Sequence, residues 1–137
     1  MSYGELFSTR LVADEDFEAA VEQATREIET DPDEPEAWFN RGQAQAGLGK
    51  LEEAAQDYAH ALGLDTSASN LDPAALDDEL FEVLRRLALA HRADRDQALS
   101  HFQRYQTLLP SGRHVPDVPK WVAHIDGVEA VWVRDQA

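Results

Sequence analysis

The sequence contains no cysteine, which excludes disulfides, thiolate metal sites and cysteine nucleophiles together. It has no run of about eighteen apolar residues, so no membrane-spanning helix is expected. Its start, MSYGELFSTR, lacks the basic n-region and apolar core of a secretory signal, and a cytoplasmic place is the expectation. H-E-x-x-H, G-x-S-x-G, P-loop and G-x-G-x-x-G patterns are also missing. His60, His91, His101, His114 and His124 show no metal-ligand spacing, and they read as surface or packing residues. Neither a catalytic residue nor a metal or cofactor is expected, and the carboxylates form no marked pair for acid-base work. Lysine is scarce, with 2 against 10 arginines, the usage of a GC-rich bacterial genome.

What is abundant is acid. The formal net charge is −15 at pH 7, and it is unevenly spread. Residues 1–34 hold 11 acids against 2 bases, residues 35–78 hold 8 against 2, and residues 79–137 hold 8 against 8. Such a field repels nucleic-acid phosphate and anionic lipid and favours encounters with basic partners. It is equally what a well-solvated surface requires. At 137 residues, with 43% hydrophobic and 28% charged, the composition is that of an ordinary globular domain, and one domain over residues 1–127 is expected.

The chain nearly repeats itself after thirty-four residues. Phe17 falls on Leu51, Glu18 on Glu52, Ala20 on Ala54, Ile28 on Leu62 and Asp31 on Asp65. A period of this size marks stacked helical hairpins, each too small to bury its apolar face alone. The punctuation agrees. A brief first helix spans about Tyr3 to Val12, with Leu6, Phe7 and Leu11 on its apolar side. Asp16 can cap a second helix to Thr30, stopped by Asp31-Pro32. Asp33 and Glu36 form a capping-box pattern opening a third helix through Trp38 to about Leu48. Gly49-Lys50 is a tight turn, and a fourth helix runs to about Leu64. A polar loop, DTSASNL, precedes Asp72-Pro73, which starts a fifth helix with apolar residues from Leu76 to Leu89. Asp94 and Gln97 open a sixth, ended by Pro110-Ser111-Gly112. Asp117 and Pro119 can start a seventh, and Val128 to Val133 reads as an arm, strand or frayed end. The fold class expected is all-α.

These residues resemble the tetratricopeptide repeat, a 34-residue helix-turn-helix with the pattern W-x2-L-G-x2-Y, A-x3-F and P. The middle copy, residues 35–68, places Trp38, Gly42, Gly49, Ala54, Tyr58, Ala61 and Leu62 in register, but has Arg41 for leucine, Gln45 for the aromatic and Thr66 for proline. Arg41 and the pair Arg85-Arg86 read as charges held by neighbouring carboxylates. The first copy, residues 1–34, keeps Ala20 and Asp31-Pro32 but has Gly4 for tryptophan and Ser8 for glycine. The third, residues 79–112, keeps Ala98, Phe102, Tyr105 and Pro110 after a ten-residue insertion, and a helix over about 118–127 carrying Trp121 and Ile125 looks like a cap.

The resemblance implies an α-solenoid of antiparallel hairpins and a non-enzymatic scaffold whose first helices line a concave groove for a peptide or helix of another protein. Carried onto this sequence, groove positions are Glu5, Leu6 and Thr9, then Phe39, Asn40 and Gln43, then Leu80, Val83, Leu84 and Leu87. A partner with leucine or phenylalanine anchors flanked by lysine or arginine would suit them; burial of the same residues inside the fold is the competing reading. Asn40 stands where some relatives clamp a carboxylate terminus, but the matching lysines and arginines are missing. An adaptor is the expected function. A chaperone-like holder of a secretion or pilus client, and a module self-associating through the Val128–Val133 arm, are the alternatives.

Overall fold

A computed structural model describes residues 6–127; Tyr3, Glu5 and the Val128–Val133 segment lie outside the described residues. Among the described residues seven α-helices run in order: α1 (Phe7–Ala13), α2 (Phe17–Thr30), α3 (Pro35–Gly47), α4 (Leu51–Leu62), α5 (Pro73–Ala90), α6 (Arg95–Leu108) and α7 (Val118–Ile125), the last preceded by a 3-10 turn at Val115–Asp117. No strand occurs among the described residues. The expected all-α, tetratricopeptide-like α-solenoid class is therefore what the structure shows. The chain divides into two compact units, residues 1–83 and 84–137, with the boundary falling within α5.

In the first unit α1 packs on α2 and α3, α2 on α3, and α3 on α4. The stripes at this packing are mostly small residues of the repeat: Ala20 and Ala24 of α2 and Ala54, Ala55 and Ala61 of α4 are fully buried, with the large Tyr58 among them. Small faces let backbones approach. A methyl group at Gly42 would lie 2.5 Å from the Tyr58 ring, and one at Gly47 would lie 2.5 Å from the Phe17 ring. Each glycine thus admits an aromatic ring from the neighbouring helix.

The turns follow the same logic. Gly49 has φ +81°, and the Gly49 and Lys50 amides donate back to the Ala46 and Gln45 carbonyls, a left-handed helix stop for which glycine carries no steric cost. Thirty-four residues earlier Glu15 takes up the same conformation at φ 59°, with the Glu15 and Asp16 amides donating to the Val12 and Leu11 carbonyls.

Three local expectations are corrected. Asp16 stands at the start of α2 but its side chain makes no capping bond. The start of α3 is capped by Glu34, which accepts from the Glu36 amide at 3.2 Å, rather than by an Asp33 box; Asp33 instead donates its amide to Asp31 Oδ1. In α1 the buried residue is Ser8, whereas Phe7 is 75% exposed. Ser8 is turned inward, hydrogen-bonded to Glu27 of α2 and Asn40 of α3. Asp72 and Asp94 do cap, accepting from the Ala74 amide at 3.0 Å and the Gln97 amide at 3.2 Å.

The insertion loop is tied down within the first unit. Ser69 Oγ donates to Glu34 Oε1 at 2.7 Å, and Leu71 is buried. The Ser67 amide donates to Asp65 at 2.9 Å, and this bond holds the Asp65 carboxyl below its ordinary pKa.

In the second unit Ala98, Phe102 and Tyr105 of α6 are buried, α6 packs on α7, and Tyr105 Oη accepts from the His114 amide at 2.9 Å. Arg85 lies over the Trp121 ring, 4.8 Å from its centroid. Arg95 grips Asp126 at 2.6 and 3.2 Å, which raises the guanidinium pKa and lowers that of the carboxyl.

Candidate docking face of the first unit

The groove candidates of the first unit fall on α1, α3 and the first half of α5. Phe39 is 8% exposed and Asn40 3%, while Leu80 and Val83 are buried as completely as any residue of the core. Leu84 and Leu87, in the second unit, are buried too. Leu6, Thr9 and Gln43 are half-buried. The face that a partner can touch in this unit is therefore narrower than the sequence positions imply.

Asn40 has an internal occupation. Its Nδ2 donates to Ser8 Oγ at 2.9 Å and to Thr9 Oγ1 at 2.8 Å, which uses both amide hydrogens. Thr9 Oγ1 donates in turn to Glu36 Oε1 at 2.8 Å. On the other side Ser8 donates both its amide, at 3.2 Å, and its hydroxyl to the Glu27 carboxylate, to which Gln23 Nε2 also donates at 3.2 Å. A polar chain thus runs Glu27–Ser8–Asn40–Thr9–Glu36 and pins α1 between α2 and α3. Burial makes each of these bonds costly to leave unmade. Gln43, one turn along α3 from Asn40, makes no hydrogen bond among the described residues.

Beneath the same face, Arg41 is held by Asp57 of α4, with Nε to Oδ2 at 2.8 Å and Nη2 to Oδ1 at 3.0 Å. This is the carboxylate partner expected for it. The Gln45 amide, oriented nitrogen-inward, donates to the same Asp57 Oδ2 at 2.8 Å, and Arg41 lies 5.0 Å over the Trp38 ring. The two departures from the repeat pattern in α3 therefore answer one buried aspartate. Arg41 and Gln45 replace an apolar wedge with a bidentate, charge-assisted one.

Sequence reasoning passed over Glu27 and Asp57, and read Ser8 only as a departure from the repeat pattern and Glu36 only as part of a capping box. A signal was there for the first two. Glu27 stands thirty-four residues before the buried Ala61, and Asp57 falls on the apolar stripe of α4 beside Ala54, Tyr58 and Ala61. A carboxylate inside such a stripe requires a partner.

Elsewhere in the first unit, Glu79 is half-buried, and desolvation, then repulsion from Glu82 and Asp78, raises its pKa. No group of three histidine, aspartate or glutamate side chains among the described residues is arranged to hold a metal ion, and no helix among them is long and apolar enough to cross a membrane.

The curated proteins contain no match to this chain. A family model described as tetratricopeptide repeat matches residues 6–69, the span from Leu6 through α1, α2, α3 and α4 to the insertion loop. Repeats of this family generally mediate protein-protein interaction and typically belong to non-enzymatic scaffolds. The match, the paired helices and the glycine-aromatic contacts agree in supporting a tetratricopeptide repeat over residues 6–69.

Proposed function

We propose that this protein is a non-enzymatic adaptor holding a short peptide or helix of another protein on the α1–α3 face of its first unit. Leu6, Thr9 and Gln43 make the contact, and Phe39 and Asn40 support it from beneath. Leu80, Val83, Leu84 and Leu87 are core residues of their helices, and α5 and α6 are read as a further hairpin of the same kind, with α7 as its cap. The observation carrying the reading is a half-buried Gln43 amide that makes no hydrogen bond among the described residues, on a tetratricopeptide face whose sequence over residues 1–78 holds 19 acids against 4 bases. An acidic field of that size steers basic segments and speeds their encounter.

The test is a pull-down with the Gln43→Arg variant, which leaves the core intact, whereas Phe39→Glu would put a charge into the interior. Loss of a basic partner by the variant, and by the wild type at high salt, is expected. Retention of every partner in both conditions overturns the reading. A second reading, a holder of aggregation-prone clients, draws on Phe7, which is 75% exposed. Suppression of client aggregation by the wild type and not by Phe7→Ser would favour it.

A further inference from the structure

The first unit contains a pocket of about 550 Å³ lined by Leu6, Gln23, Arg26, Glu27, Thr30, Asp31 and Glu34, and the chain's own repeat shows what such a space takes. Arg26 stands thirty-four residues before His60. At His60 the second hairpin is filled by Trp38, whose ring centroid lies 3.8 Å from that of the histidine and whose Nε1 donates to the Pro32 carbonyl at 2.9 Å. The position thirty-four before Trp38 holds Gly4, so the first repeat carries no tryptophan there in sequence.

We infer that this pocket is a docking site for an aromatic side chain of a basic partner segment, tryptophan above all. Three features set that chemistry. The Arg26 guanidinium is braced by Gln23, with Nη2 to Oε1 at 2.8 Å, and a planar cation so held stacks on an aromatic face. The Leu6 side chain and the stems of Gln23, Arg26 and Thr30 give an apolar wall that a flat ring can cover. Glu27, Asp31 and Glu34 stand around it, and their charge complements lysine or arginine flanking the ring. The site shares Leu6 with the Gln43 face, but its other walls are its own and the inference does not rest on that reading.

The probe is a capped Lys-Lys-Trp-Lys-Lys peptide, titrated calorimetrically into the full chain beside Lys-Lys-Ala-Lys-Lys, with amide chemical shifts read in parallel. The tryptophan peptide is expected to bind at least tenfold more tightly than the alanine one, with shifts centred on Gln23, Arg26 and Thr30. The exposed Thr30→Trp substitution, which fills the pocket from its own wall, and Arg26→Ala should each bring the tryptophan peptide down to the alanine level while circular dichroism stays unchanged. Equal affinity for the two peptides would reduce the site to charge alone and overturn the inference. So would shifts confined to Thr9 and Gln43, which would leave the docking face standing. A tenfold gain in affinity on deleting residues 1–5 would give the pocket to the chain's own start. Self-association abolished by Thr30→Trp would give it to a second copy, and either result also overturns the inference.

Discussion

Replacing Gly42 by alanine adds a single methyl group, yet the structure gives that methyl nowhere to go. It would lie 2.5 and 2.8 Å from two carbons of the Tyr58 ring, and Tyr58 is fully buried, 5.6 Å from the Phe39 ring. The ring or the helix must shift, and overpacking of this kind costs about 1–3 kcal/mol. Alanine recovers about 1 kcal/mol of helix propensity over glycine, so Gly42→Ala should lose up to about 2 kcal/mol net. For a chain of this size that is a fall in Tm of up to about 6 °C. Gly63→Ala is the control, because its methyl would meet only the His60 carbonyl oxygen at 3.5 Å, and it should be neutral or stabilising by up to about 1 kcal/mol. Urea titration of both variants, together with Tyr58→Leu and the Gly42→Ala/Tyr58→Leu pair, gives the decisive comparison. The double variant should be less destabilised than the sum of its singles by about 1 kcal/mol. A Gly42→Ala protein more stable than wild type, or strict additivity with Tyr58→Leu, would refute the close approach of α3 and α4 on which the hairpin rests.

Three further outcomes follow from the same geometry. Glu15→Gly should stabilise by about 1 kcal/mol, since an L-residue held in the left-handed region is strained, and Gly49→Ala should destabilise by a similar amount; paired thermal melts check both signs. Arg41→Leu restores the residue of the repeat pattern but strands the buried Asp57, and should cost about 2 kcal/mol, whereas Arg41→Leu with Asp57→Leu should recover most of it, as a double-mutant cycle in urea will show. Glu79 carries a raised folded-state pKa, so its ionisation opposes folding above that value and the penalty vanishes as pH falls to the ordinary glutamate value of 4.5. Glu79→Gln should therefore be more stable than wild type at pH 7, and the difference should close by pH 4.5 when unfolding free energies are measured across that range.

The helices were legible in the sequence because their signals are local. Proline after a cap at Asp72, glycine at the turn after α3 and the spacing of Ala20, Ala24 and Ile28 each act within a turn or two of the chain. What stayed hidden depends on distant partners. Ser8 reads as a degraded glycine, and only the arrival of Glu27 and Asn40 from two other helices makes it the pin of α1. Asn40 and Phe39 read as groove residues from their repeat positions, but position alone does not say whether a neighbour already covers a side chain. Arg41 was read correctly as a held charge, whereas Asp57 as its holder requires knowing which face of α4 meets α3. The pocket beside Arg26 was hidden because its walls come from Leu6, α2 and Glu34, and no local signal says that these stretches leave a space between them.

Photo-crosslinking from position 43 tests the docking face most directly. A benzoylphenylalanine at Gln43 should crosslink a single partner protein through a peptide rich in lysine or arginine, while the same group at the exposed Gln56 of α4 should not. Crosslinking as strong from Gln56 as from Gln43, or through an acidic peptide, would contradict the account.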